Sequence, residues 1–203
     1  INNVINYDIV DEVVIVDNAS TDNSYQLLVE INNQKIKILK NISNKGYASG
    51  INLGSKYLIE KYNKCNIIIS NPDIVIESED VLIKLIDNFK LDVSVVAPLI
   101  KEHEGYNRGW KVPTPFIDIL LNIPYVHKSI REKYLFYPDN YYQNDIVEVE
   151  VVSGCFFLIR SDVLKEIDFL DENTFLYYEE NILGVKLKEK GLKTIINTNV
   201  EVF

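Results

Sequence analysis

Short runs of β-branched and aliphatic residues recur at 13–16, 36–39, 67–69 and 93–97, and each interval between them carries residues at helical spacing. Ser24, Leu27, Leu28 and Ile31 share one face of the first interval, with Ser20 or Thr21 placed to cap it. Ala48, Ile51, Ser55, Leu58, Ile59 and Tyr62 keep the same period in the second, and Leu82, Leu85, Ile86 and Phe89 stripe the third. A parallel strand pair needs a crossover, and an amphipathic helix supplies it. The pattern therefore predicts an α/β fold with a mainly parallel sheet flanked by helices. Ligands in such sheets lie beyond the carboxyl ends of the strands. Two polar turns fall there: Asp17-Asn18-Ala19-Ser20-Thr21-Asp22 after the first strand and Ser70-Asn71-Pro72-Asp73 after the third.

The alternation lapses between Pro98 and Asp145, where Pro113, Pro115, Pro124 and Pro138 punctuate an aromatic, poorly periodic stretch. It lacks enough regular elements for its own core, so residues 1–203 read as one domain with an irregular insertion at about 99–146. Strand patterns resume at 147–152 and 156–160, separated by Ser153-Gly154-Cys155. A helix follows Ser161, and Phe175-Leu176-Tyr177-Tyr178-Glu179-Glu180 leads into another, carrying Leu183 and Leu187 and ending at Gly191. The chain opens at Ile1, contains no Met and stops at Phe203 in a strand-like run, which reads as a fragment.

Composition narrows the function. A net charge of -9 argues against general nucleic-acid binding, which needs clustered Lys and Arg, so an anionic ligand must be held locally. No apolar stretch approaches the roughly 18–20 residues that span a bilayer, and no signal peptide opens the chain, so a cytoplasmic location is expected. Cys65 and Cys155 read as buried free thiols of a reducing compartment, with a single disulfide as the alternative. His103 and His127 have no Cys or His at zinc-ligand spacing, and no GxSxG elbow occurs.

Several residues admit both a structural and a chemical role. Asp17 suits a turn or helix cap, and equally a ligand's N–H or ribose hydroxyl. Asn71-Pro72-Asp73 is good β-turn chemistry, and it also fixes a carboxylate that can ligate Mg²⁺ or Mn²⁺. Glu179 and Glu180 suit the positive end of a helix dipole, while the two aromatics before them can desolvate a general base. Lys45-Gly46 at a helix start can approach a phosphate, though without Walker spacing. Asn18-Ala19-Ser20 also matches a glycosylation sequon, a match that carries no weight without a secretory context.

Taken in order, Val13-Val14-Ile15-Val16-Asp17-Asn18-Ala19-Ser20-Thr21-Asp22-Asn23-Ser24, Asn44-Lys45-Gly46-Tyr47-Ala48-Ser49-Gly50-Ile51-Asn52, Asn71-Pro72-Asp73, Gly154-Cys155-Phe156-Phe157-Leu158-Ile159-Arg160 and Phe175-Leu176-Tyr177-Tyr178-Glu179-Glu180 resemble the family 2 glycosyltransferases, most closely the rhamnosyltransferase-like branch. The resemblance runs from about Val13 to the end and is weakest in the insertion. It implies a GT-A fold in which Asp17 contacts the donor's base, Lys45 and Gly46 line the nucleotide pocket, and Gly154 lies beside the sugar. Asn71-Pro72-Asp73 would occupy the DxD position, with Asp73 as the ligand of Mn²⁺ or Mg²⁺. Glu180 would stand as the catalytic base, one methylene longer than the usual Asp. The chain departs from that pattern at Asn71, which replaces the first acid of DxD, and at Ile182, where many relatives carry a further Asp. The family's N-terminal donor-binding strand and C-terminal metal-site His have no counterparts here.

The implied function is inverting transfer of a sugar from a UDP- or dTDP-type donor to an acceptor hydroxyl, in bacterial cell-surface polysaccharide synthesis. The acceptor would be a saccharide or a lipid-linked saccharide. Phe116, Ile117, Leu120, Leu121 and Ile123 form an apolar patch suited either to peripheral contact with the inner face of a membrane or to packing on the domain. Two alternatives remain: a non-catalytic sugar-nucleotide-binding module, and a sugar-1-phosphate nucleotidyltransferase, whose Gly- and Arg-rich loop has no counterpart here.

Overall fold

The computed structural model describes residues 4–90, 92–103, 105–121, 123 and 127–203. After a 3-10 turn at Val4–Asn6, the elements in chain order are β1 (Val13–Asp17), α1 (Ser24–Val29), β2 (Ile36–Lys40), α2 (Tyr47–Tyr62), β3 (Asn66–Ser70), α3 (Glu79–Ile86) and β4 (Val93–Glu102). The outer segment holds β5 (Gly105–Asn107), α4 (Pro115–Leu121), α5 (His127–Ile130) and short π- and 3-10 turns at Arg131–Leu135 and Asp139–Gln143. The chain then returns through β6 (Ile146–Val149), β7 (Phe156–Arg160), α6 (Ser161–Glu166), α7 (Glu179–Glu189) and β8 (Lys193–Val202).

The expected α/β architecture is present, with mixed strand directions. β1 and β2 form a parallel pair of their own. The larger sheet runs β3-β7-β4-β8-β6, with β5 folded back on the end of β4. Only β4 and β8 run parallel within it, because β7, entering after the outer segment, slots antiparallel between β3 and β4, and β6 runs antiparallel to β8. The amphipathic pattern could announce the crossovers of the first half, but not the direction of strands that follow an irregular segment.

Burial follows the two-residue period of a strand covered on both faces. Phe157 and Ile159 of β7 face the core under α2, α6 and α7, while Phe156 and Leu158 face the core under α3, where Leu82 and Leu85 are fully buried. Each such side chain contributes roughly 1.5–3 kcal/mol by leaving water. α2 packs against both β1 and β3, and so ties the small sheet to the large one. Gly54 permits its approach to β1, since a Cβ there would lie 3.2 Å from the Val16 side chain. β4 is longer than its apolar run predicts, because hairpin pairing with β5 carries it to Glu102. α1 starts later than the Ser20 or Thr21 cap predicts. Its N-cap is Asn23, and the Ser24 N–H is taken by Asp22 Oδ1 at 2.9 Å. Among the described residues no helix is long and apolar enough to cross a membrane. Both cysteines are free and half-buried.

Candidate functional site

Asp17 ends β1 and is buried at 3% exposure, with its carboxylate accepting the Ser20 N–H at 3.3 and 3.4 Å. That is the turn-closing role. Asn18 next to it does the connecting. Its Nδ2 donates to Asn44 Oδ1 at 3.1 Å and to the Gly46 carbonyl at 2.9 Å, while its Oδ1 accepts from Asn41 Nδ2 at 2.7 Å. The end of β1, the loop after β2 and the start of α2 are thus joined by three asparagine side chains. Sequence reasoning passed over them, having read Asn18 only as an idle sequon; asparagines clustered after two strands were the available signal.

Gly46 is buried with φ of 99°, and a Cβ there would lie 2.1 Å from the Phe175 carbonyl oxygen. Only glycine allows that approach. The same carbonyl accepts the Tyr47 N–H at 3.0 Å, so the first N–H of α2 is directed at the 175–178 loop. Lys45 beside it is exposed.

β3 pairs with β7 up to Ser70 opposite Phe156, and one further bond, Asn71 N–H to the Cys155 carbonyl at 2.8 Å, draws the Asn71-Pro72-Asp73 turn against Gly154 and Cys155. Asp73 is exposed. Burial pushes the Cys155 thiol up, and the charges of Glu102 and Asp73 add to it, which puts Asp73 within electrostatic reach of that turn. Gly154 is buried, and its N–H donates to Glu180 Oε1 at 3.2 Å; a Cβ on Gly154 would lie 2.5 Å from that oxygen. The Tyr47 hydroxyl donates to the Gly154 carbonyl at 2.5 Å. Burial first, then the charges of Glu180, Cys155 and Glu179, hold Tyr47 far above the ordinary phenol range, so it remains a donor.

Glu179 and Glu180 open α7, as their helix-dipole role requires. Tyr177 and Tyr178 before them both adopt positive φ, 69° and 79°, which turns the chain sharply into the helix. These rings do not wall the site closely: Tyr177 is 78% exposed and Tyr178 42%. It is Glu179 that is buried, at 3%, with Oε1 lacking a partner among the described residues, while Glu180 is half-buried against Gly154. Tyr178 is pushed up to about 12 by burial and by its hydrogen bond to Asp118 of α4. Trp110 Nε1 donates to Asn181 Oδ1 at 2.9 Å, a second tie between the outer segment and α7.

The structure thus brings Gly46, Asn71, Asp73, Gly154 and Glu180 to one rim. Asp17 is joined to it through Asn18, and Lys45 stands at its edge. A polar hollow of about 350 Å³ beside α2, lined by Asn52, Lys56, Asp171, Glu172 and Lys186 among others, contains none of the residues assigned a catalytic, donor or metal role from the sequence. Buried Asn52 belongs to the scaffold there, bonding Leu170 through both backbone groups. No group of three His, Cys, Asp or Glu suited to a metal occurs among the described residues. His103 is exposed, and the side chain of His127, like Pro124, lies outside the described residues. An exposed Asp73 therefore fits only a cation that takes most of its oxygens from a ligand such as a diphosphate.

A sequence profile for glycosyl transferase family 2 matches residues 1–168. The chain belongs to that family. Within it, the chain is 27% identical over 169 residues to the low-salt glycan biosynthesis hexosyltransferase Agl10 of Haloferax volcanii, covering 83% of this chain and 50% of that protein. The chain spans about half the length of this curated relative. Among solved structures, GalNAc-T7 with UDP, GalNAc and Mn²⁺ superposes with a TM-score of 0.63 at 15% identity, over 95% of this chain and 37% of that one. The mannosyltransferase PcManGT of Pyrobaculum calidifontis, in complex with GDP-Man and Mn²⁺, gives 0.60 at 16% identity, over 94% and 46%. Both likenesses establish the GT-A fold for this family 2 chain.

Proposed function

We propose that this chain carries the transfer site of an inverting glycosyltransferase that uses a nucleoside-diphosphate sugar of UDP or dTDP type. Glu180 takes the proton of the acceptor hydroxyl; the acceptor oxygen bonds the anomeric carbon as the bond from that carbon to the diphosphate oxygen breaks. The observation that carries the reading is the carboxylate of Glu180 held by the Gly154 N–H at 3.2 Å, in a turn that also receives the Asn71-Pro72-Asp73 segment. Asp73, with Asn71 beside it, would hold Mn²⁺ or Mg²⁺, which when bound neutralises charge on the departing diphosphate. Asp17, Lys45 and Gly46 would border the nucleotide, and Gly154 the sugar. Mn²⁺ in both solved structures, with UDP and GalNAc in one and GDP-Man in the other, supports a divalent cation and a nucleoside-diphosphate donor.

The acceptor reading rests on a different surface. Phe116 and Ile119 of α4 are 67% and 66% exposed and Ile123 is 43%, while Ile117, Leu120 and Leu121 are half-buried. Asp118 of this helix is near enough to Tyr178, two residues before Glu180, to raise the pKa of its phenol. An exposed apolar face on the outer segment supports a lipid-linked saccharide acceptor, met by peripheral contact at the cytoplasmic face of a membrane. The sequence resemblance points to bacterial polysaccharide, whereas the hexosyltransferase relative is archaeal and named for glycan biosynthesis. Glycan assembly is the setting common to both.

A panel of UDP-, dTDP- and GDP-sugars with Mn²⁺, followed by calorimetry and donor hydrolysis, tests the reading. Wild type is expected to bind and slowly hydrolyse a UDP or dTDP sugar, and Asp73→Asn to lose the metal dependence of binding. Binding with neither hydrolysis nor transfer would favour the non-catalytic module, and unchanged Mn²⁺-dependent binding in Asp73→Asn would remove Asp73 from the metal site.

A further inference from the structure

Glu180 is positioned by two neighbouring segments, and one residue reaches both. The first is the turn at Gly154, whose N–H is the donor that reaches Glu180 among the described residues. The second is the 175–178 loop, whose positive-φ tyrosines direct the chain into α7. Tyr47, the first residue of α2, donates its backbone N–H to the Phe175 carbonyl at 3.0 Å and its hydroxyl to the Gly154 carbonyl at 2.5 Å. Gly46 before it allows the first bond, and the missing Cβ of Gly154 allows the carboxylate to close on the turn.

We propose that Tyr47 is the positioning residue of the site, its hydroxyl setting the Gly154 turn so that the Glu180 carboxylate faces the acceptor. The inference rests on the assignment of Glu180 as base. A tyrosine in a helix whose other apolar residues face the core would ordinarily be counted as packing, and the ring does pack against the core cluster. Packing needs no hydroxyl, however. This hydroxyl is aimed at a backbone carbonyl 107 residues away, beside the N–H that holds the base. As a residue acting through Gly154, Tyr47 is expected to affect the chemical step more than donor binding.

A double-mutant cycle on Tyr47→Phe and Glu180→Gln, with donor KM, kcat and melting temperature measured on each variant, tests this. Tyr47→Phe is expected to lower kcat by roughly tenfold with donor KM unchanged, and to lower the residual rate of Glu180→Gln no further. Tyr57→Phe serves as the control on the same helix: its hydroxyl donates to Glu12 Oε1 at 3.0 Å, away from the site, and kcat should be preserved. An unchanged kcat in Tyr47→Phe, or an equal fold-loss in both backgrounds, overturns the positioning role while leaving Glu180 as base. Normal turnover in Glu180→Gln overturns the base assignment and this inference with it.

Discussion

The rim built from strand-end turns and the outer segment from Gly105 to Asp145 are held in different ways. At the rim, bonds that involve the backbone join distant parts of the chain: Asn71 to Cys155, Tyr47 to Phe175 and Gly154 to Glu180. The outer segment is anchored near its ends by backbone pairing, β5 with β4 and Trp110 with Val151, while the stretch between, α4 included, relies on side chains. Trp110 Nε1 reaches Asn181, the Tyr141 hydroxyl donates to the Glu148 carbonyl at 2.5 Å, and the hydroxyl of its stacked partner Tyr137 accepts the Glu150 N–H at 3.2 Å. Backbone bonds with glycines at the contact points leave a turn little freedom, whereas side-chain ties let a helix such as α4 shift. A rigid rim suits the shared part of the reaction, and an adaptable cover suits the variable acceptor.

Gly46→Ala should produce the larger of the two effects that bear on this contrast. A Cβ would meet the Phe175 carbonyl at a backbone conformation that only glycine adopts readily. A loss of at least about 2 kcal/mol is expected, read as a melting temperature lower by roughly 4–8 °C. An unchanged melting temperature would mean that the rim yields, and the contrast with the outer segment would collapse.

The fold of the first half could be read directly, because its strands are apolar runs and its helices keep their period. Local pattern gave the site only as separate turns, and it was the ordered resemblance that joined them into one. Asn71, Asp73, Gly154 and Glu180 stood out as residue types at strand ends or a helix start, but what joins them is a set of contacts more than 25 residues apart in the chain, such as Gly154 with Glu180 at a separation of 26. Tyr47 was hidden for the same reason: its ring fits an apolar stripe, and nothing local reveals where its hydroxyl goes. Glu179 is buried just after Tyr177 and Tyr178 at positive φ, a conformation that non-glycine residues rarely adopt and sequence patterns do not signal.

The smaller effect belongs to the outer segment. Phe116→Ser together with Ile119→Ser should change stability by no more than about 0.5 kcal/mol per site, as for exposed positions. Sedimentation with vesicles containing anionic lipid should fall, and donor hydrolysis should persist. A large drop in melting temperature would show these side chains to be packing residues and would end the lipid-contact reading.

The most direct measurement is transfer rate and donor affinity on one preparation of Glu180→Gln. Retained fold and donor affinity with transfer lowered by roughly two or more orders of magnitude is the predicted result, the scale on which general base catalysis is lost. Glu179→Gln in parallel should lose less transfer, since Glu179 is buried while Glu180 lies against Gly154 at the rim. Normal turnover in Glu180→Gln, with at most about 1 kcal/mol of stability lost at the helix start, would contradict the account and leave both acids as partners of the helix dipole alone.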